Sequence, residues 1–326
     1  MTEFRHYPEI AKLGAAHLYT PDLDKSLWFF HDILGLHITA RTDTKVYLRA
    51  GMEHEHHSLV LEAGDRARLD HVTWRVKRPE DLEGFHEILT GNGTDVAVEP
   101  PNAEDGIGES LRFQMPSGHK FRLYYDVEKT AVADADRSVL LNQPYRSWHH
   151  GISVRRIDHI NLWTTHDPLA QHEWLSDNLG FKLREYATGP HGRIGGWMSV
   201  TPLVHDVAVM KAGPQETTPA RMHHLAYWLD NAQDVLRASD ILVEAGFALD
   251  QGPGKHGVSQ AMFLYVRDPG SGHRVEIFSA GYLIFDPDWE PIEWGMKDIK
   301  MALAMWGPTD YMPHVDDNIM NTTTEA

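Results

Sequence analysis

Cysteine is absent from all 326 residues, which excludes a disulfide framework and any thiolate metal site. Basic residues are few. Against 47 Asp and Glu stand 30 Lys and Arg, a formal net charge of −17, and that sign excludes nucleic acid and anionic membrane surfaces as partners. No apolar run reaches transmembrane length. The N-terminus, MTEFRHYPEIAKLG, is charged and mixed, which predicts no signal peptide and a cytoplasmic protein. Histidine is plentiful, with 22 copies. Any metal site must then be built from His and carboxylates, a donor set that favours Fe(II), Mn(II) or similar ions over zinc.

The length suits two domains, each with its own core, and the chain repeats itself. RLDHVTWRV around His71 resembles RMHHLAYWL around His224, and PSGHKFRLYYD resembles GSGHRVEIFSA. Each half reads as two strand-helix-strand-strand-strand modules, with helices that stop at glycines such as Gly35, Gly180 and Gly246. This predicts an α+β fold of four βαβββ modules. The expected divisions are 1–140, 148–285 and a Trp-, Pro- and Met-rich tail, 286–326. Residues 1–13 are expected to be a loose arm and 127–147 a connection. On the alignment His17 matches His159, His71 matches His224, and Arg122 falls where Glu276 stands. His71 and Arg122 are 51 residues apart, and His224 and Glu276 are 52 apart.

His159, His224 and Glu276 are each predicted near the middle of a different strand. Two imidazoles and a carboxylate on one face of an ion leave adjacent positions open, the arrangement of non-haem Fe(II) oxygenases. In the first half a guanidinium, Arg122, replaces the carboxylate and cannot ligate a cation, so that half is expected to hold no metal. His223, next to His224, is expected to point to the other side of its strand. His54-Glu55-His56-His57 reads as a polar loop and not as a metal tract. On the hairpin Gln251–Ser279, Val275 and Ile277 should face one side of a strand and Arg274, Glu276 and Phe278 the other, with Tyr265 on the neighbouring strand and His256 on the loop leading in.

With these residues in view, the chain resembles the vicinal oxygen chelate superfamily. Its second half resembles the type I extradiol ring-cleaving dioxygenases of the catechol and homoprotocatechuate 2,3-dioxygenase branch. The most specific match is GKHGVSQAMFLYVRDPGSGHRVE, and the likeness covers nearly the whole chain. It implies Fe(II), with Mn(II) as the alternative, held by His159, His224 and Glu276. It implies that His205 assists O2, that Asn161 and Trp197 line the O2 and substrate pocket, and that His256 and Tyr265 contact the substrate oxygens. The expected reaction is O2-dependent cleavage of a catechol next to the diol, giving a 2-hydroxymuconic semialdehyde-type product. The family also implies a homo-oligomer, commonly a tetramer, with the tail as a lid or subunit contact.

Relatives that take a carboxymethyl catechol have an arginine where this chain has Gln251, and arginines in the tail where it reads Ile299-Lys300-Met301-Ala302. A carboxylate would lose its bidentate partner. The expected substrate is therefore a neutral catechol, unsubstituted, alkyl or aryl, with Lys255 or Lys300 as groups that would rescue an acid. Two rival readings are a metal-free protein of the same fold that sequesters aromatic compounds, and a related metal enzyme of the glyoxalase or 4-hydroxyphenylpyruvate dioxygenase kind. A pure binder has no use for Glu276, His205 and Tyr265 together, and the motif from His256 to Glu276 argues against both enzyme kinds.

Overall fold

A computed structural model describes residues 7–147 and 150–307. The first half supplies β1 (Ile10–Thr20), α1 (Leu23–Leu27) running into a π-helical turn (Trp28–Ile33), β2 (His37–Arg41), β3 (Lys45–Arg49), β4 (Leu59–Ala63) and β5 (Arg68–Val76). It continues with α2 (Asp81–Gly91), β6 (Val96–Glu99), β7 (Ser110–Gln114) and β8 (Lys120–Tyr124). The second half supplies β9 (Arg156–Thr164), α3 (Pro168–Leu179), β10 (Lys182–Gly189), β11 (Gly192–Ser199), β12 (Val207–Lys211) and β13 (Ala220–Leu229). Then follow α4 (Ala232–Glu244), β14 (Gln251–Lys255), β15 (Ala261–Arg267), β16 (Arg274–Ala280), β17 (Ile292–Trp294) and α5 (Ile299–Leu303).

The two sheets are built alike. One runs β2-β3-β4-β1-β5-β8-β7-β6 and the other β10-β11-β12-β9-β13-β16-β15-β14, with β17 added beyond β10. Even the registers agree. Arg122 lies opposite Thr73, two residues past His71, and Glu276 lies opposite Ala226, two residues past His224. The predicted equivalence of Arg122 and Glu276 therefore holds residue for residue.

Local chemistry explains the helix ends. Asp167 accepts from the amide of Leu169 (3.1 Å), Pro168 opens α3, and Gly180 closes it at φ 73°. Asn231 caps α4 by accepting from the amide of Asp234 (3.1 Å), and α4 buries Val235, Ala238 and Leu242 on one face. One apolar core runs through both halves, with Trp74 of the first meeting Phe181 of the second edge to face at 5.0 Å.

A pair of buried histidines fastens the halves to each other. His119 Nε2 donates to the carbonyl of Arg221 (2.9 Å), and His273 Nε2 donates to the carbonyl of Tyr19 (3.0 Å). Burial pushes the His119 pKa down to about 4, so the ring stays neutral. His119→Ala leaves that carbonyl without its donor and opens a cavity. It should cost about 2–4 kcal/mol in urea unfolding, and a change under 0.5 kcal/mol would show that the contact contributes nothing.

Two expectations are corrected here. The arm is shorter than predicted, because β1 begins at Ile10, where Ile10 and Leu13 are buried in the core. The tail, as far as residue 307, is part of the second half: β17 pairs in parallel with β10, and α5 packs on the same side. Residues 127–147 carry no helix or strand, as a connection should. The last stretch, 308–326, lies outside the described residues, as do 1–6 and 148–149.

Candidate metal centre and its cavity

Three central strands of the second sheet, β9, β13 and β16, lie side by side and bring one side chain each to a single point. His159 Nε2 is 3.0 Å from Glu276 Oε2, His224 Nε2 is 3.1 Å from it, and the two imidazole nitrogens are 3.2 Å apart. All three residues are 2–3% exposed. These separations match one face of an octahedron, whose edges are ~3 Å for metal–ligand bonds of ~2.1 Å. The donor set also calls for positive charge. Burial opposes the charge on Glu276, yet hydrogen bonds from His159, then His224, hold its carboxyl well below the usual range. Burial likewise disfavours a proton on His159, but Asp158 and Glu276 outweigh it and raise the pKa to about 9. A divalent cation satisfies this demand, and the residues fit one.

Neighbouring groups fix both rings. His159 Nδ1 donates to Asp158 (2.9 Å), the usual way a carboxylate orients a metal-binding imidazole. His224 Nδ1 faces Nδ1 of His223 (2.7 Å), whose Nε2 accepts from Arg274 (2.6 Å). The expectation that His223 points away is therefore wrong. A β-bulge between Met222 and His224 breaks the alternation, and both histidines line the same cavity, His223 stacked on Trp163 at 4.7 Å. Nothing in the residue pattern marks that bulge. Asp158 was also missed in the sequence, although an aspartate directly before the histidine was legible there.

The remaining predicted residues mostly gather here. Tyr265 lies opposite Glu276 in the β15–β16 ladder, as the hairpin predicts, and Glu276 and Phe278 face the cavity while Val275 and Ile277 enter the core. His256 Nε2 lies 3.3 Å from both the Tyr265 hydroxyl and Glu276 Oε1, its ring stacked on Phe263 at 3.8 Å. The His205 ring centre is 4.0 Å from that of His159. Burial, then the neighbouring His159, hold its pKa well below the ordinary value. Asn161 and Trp197 also line the cavity. Gln251 does not: it lies on the edge strand β14, paired with Tyr265, and is not part of the wall.

The cavity measures about 840 Å³ and is largely apolar, walled by Ile194, Trp197, Met210, Met296, Ile299 and Leu303. Its two cations were not foreseen. Arg193 lies 4.0 Å above the Tyr186 ring, and Lys211 donates to the carbonyls of Thr165 (2.6 Å) and His166 (3.1 Å). Neither Lys255 nor Lys300 is on the wall.

The first half holds a distorted copy. His17 and His71 occupy the matching positions, and a carboxylate does reach them: Glu104, from the loop between β6 and β7, where the second half has His256. Its Oε2 lies 3.0 Å from His71 Nε2 and 3.0 Å from Arg122 Nη1, and its Oε1 lies 3.0 Å from His57 Nε2. Arg122 thus presents its own cation to the carboxylate. His57 is the counterpart of His205, two residues before β4 as His205 is before β12, and it is 1% exposed. The run of Glu55, His56 and His57 is a loop, as expected, but all three side chains are buried, and His57 meets the Glu104 carboxylate.

Comparison with known proteins agrees with this geometry. Residues 156–277 match the family model described as the Glyoxalase/Bleomycin resistance protein/Dioxygenase superfamily, and residues 69–128 match a catechol 2,3-dioxygenase-like N-terminal domain. A manganese-dependent 2,3-dihydroxybiphenyl 1,2-dioxygenase from Geobacillus genomosp. 3 is 53% identical over 92% of this chain and 95% of its own. A metapyrocatechase from Geobacillus stearothermophilus is 37% identical over 91% of this chain and 90% of its own. The structure of homoprotocatechuate 2,3-dioxygenase from Arthrobacter globiformis superposes with a TM-score of 0.82 at 28% identity, covering 99% of this chain and 94% of that one. With a paired-module fold, a buried His-His-Glu cluster and relatives at this identity, the chain belongs to the extradiol ring-cleaving dioxygenases of the vicinal oxygen chelate superfamily.

Proposed function

We propose that this dioxygenase opens a neutral, aryl- or alkyl-substituted catechol next to its diol, using a divalent ion held by His159, His224 and Glu276. The observation that carries the substrate class is the cavity. Its 840 Å³ exceed what a single ring needs, its walls are apolar, and its Arg193 and Lys211 are engaged with Tyr186 and with backbone carbonyls. Arg193 is the one guanidinium on the described wall, laid against Tyr186, and no second arginine joins it there to clamp a substrate carboxylate. The resident ion is Mn(II) on this reading, in line with the manganese-dependent relative, and Fe(II) is the alternative that the same donors accept. We place one ion per chain, in the second domain (148–285), and none in the first (1–140), where Arg122 sits on Glu104. The protein is proposed to be cytoplasmic; no helix of the described residues is long and apolar enough to cross a membrane. It is also proposed to be a homo-oligomer, since Leu283 and Phe285 are 55% and 75% exposed; a monomer mass by light scattering would refute this.

When bound, the ion supplies Lewis acidity that lowers the pKa of a catechol hydroxyl, and open positions where diol and O2 meet. The protein groups do the rest. His256 and Tyr265, hydrogen-bonded to each other, hold the diol oxygens and take up or share a proton. His205, kept neutral by burial, accepts a proton and returns it to oxygen as the ring opens. Asn161 and Trp197 limit how O2 and the ring can sit, which converts binding energy into orientation.

The test loads metal-free protein with Mn(II) or Fe(II) and measures kcat/KM for 2,3-dihydroxybiphenyl, 3-methylcatechol, catechol and homoprotocatechuate. The biphenyl diol should exceed homoprotocatechuate by about 100-fold or more, the cost of burying an unpaired carboxylate, with Mn(II) the better ion. Preference for the acid would refute the neutral substrate, and activity with Fe(II) alone would refute manganese.

A further inference from the structure

One buried carboxylate near the cavity has no part in the chemistry described above. Glu185, on β10, is 1% exposed and does not line the cavity. Its Oε1 accepts from the amide of Ser259 (2.8 Å) and the hydroxyl of Tyr282 (2.8 Å), and its Oε2 accepts from the indole of Trp294 (2.6 Å). All three partners are neutral, and burial raises its pKa. Those partners come from three separate segments: the loop 256–260, the stretch after β16, and β17.

The loop it grips is the one that carries His256. Ser259 and Gln260 are consecutive left-handed residues, at φ 57° and 59°, a conformation that is strained for a residue with a side chain. Such a bend persists only where its surroundings hold it. Ser259 is held at both ends: its amide donates to Glu185, and its carbonyl accepts from the amide of Tyr282 (3.2 Å). The tail closes on the other side. The amides of Gly257 and Val258 donate to the carbonyl of Ala302 (3.0 Å each), and Lys255 and Trp306 are joined as a bridge. His256 Nδ1 donates to the carbonyl of Leu303, which turns Nε2 toward Tyr265 and Glu276.

We infer that Glu185 is a positioning residue for His256: it fixes the left-handed loop and the tail against each other, so that the imidazole meets the diol. The inference rests on the reading that His256 acts on the substrate. A neutral partner at 185 would not serve equally, because only a carboxylate offers two acceptor oxygens to three donors. Glutamine turns one of them into an NH2 group facing a donor.

The test compares the ion-loaded wild type, Glu185→Gln, His256→Asn and the double variant, by ion content, kcat and KM for 2,3-dihydroxybiphenyl. Glu185→Gln should keep one ion per chain and lose about 10- to 30-fold, mainly in kcat. In the His256→Asn background the same change should cost less than about 2-fold, since coupled residues do not act additively. Trp294→Phe, which removes one donor, should lose less in the same direction, and it carries the test if the glutamine variant does not fold. Full activity of the 185 variant, loss of its ion, or an equal loss with and without His256 would each overturn the inference. Should His256→Asn alone retain full kcat, the role given to His256 under the proposed function falls, and this inference with it.

Discussion

Glu276→Gln should leave the protein without its ion and without ring-opening activity. The amide keeps the shape of the side chain but removes the anion on which His159 and His224 converge at 3.0 and 3.1 Å. Glu276 is the carboxylate of the buried His-His-Glu cluster. Asp158 is already committed to Nδ1 of His159. Ion content measured by plasma mass spectrometry should fall from one per chain to below about a tenth, and turnover by roughly 10³-fold or more. Full stoichiometry with undiminished turnover would remove the basis for the site. The same sample examines the first half. There Glu104 is met by Arg122, His71 and His57, each at 3.0 Å. A full equivalent of ion retained by Glu276→Gln, and lost on further substitution of Glu104, would mean that Arg122 yields its place to a metal.

His205→Gln should separate binding from chemistry. The His205 ring lies 4.0 Å from that of His159 and outside the His-His-Glu cluster, so ion content should not change. Glutamine can still offer a hydrogen bond to O2 or to the diol, but it cannot take up and return a proton at neutral pH. Loss of a positioned acid–base group costs about 10²–10⁴-fold. That loss should fall on kcat, with KM for the diol changed little. Oxygen uptake that outruns product formation would be the accompanying sign that O2 is still admitted. A variant within threefold of the wild-type kcat would show that His205 moves no proton in the slow step.

Much of this was readable from local pattern. The module repeat, the glycine-terminated helices and the alternation of β16 all rest on nearest-neighbour rules, which one strand or one helix is enough to express. The candidate cluster of His159, His224 and Glu276 was legible for a related reason. The duplication shows which positions are equivalent, and the exchange of Glu276 for Arg122 marks where the two copies of the cluster differ. What escaped depends on contacts between distant segments. The alternation rule placed His223 on the wrong face because it cannot register the bulge at Met222–His224. Glu104 reaches the first-half histidines from a loop with no strand periodicity. Gln251 occupies the expected place in sequence, but it lies on an edge strand, away from the wall.

The sequence by itself determined the two-fold plan, the class of donors and the exchange of Glu276 for Arg122 at matching positions, since these follow from residue type and spacing. Only the tertiary structure decided which side chains share a cavity and how each is held. Pairing β17 with β10 brings Trp294 to Glu185, and a left-handed turn at Ser259 brings that carboxylate to the loop of His256. The physical reason is that hydrogen bonds between segments a hundred residues apart depend on register and on bulges, and those are set by how the sheets close and not by any local preference of the chain.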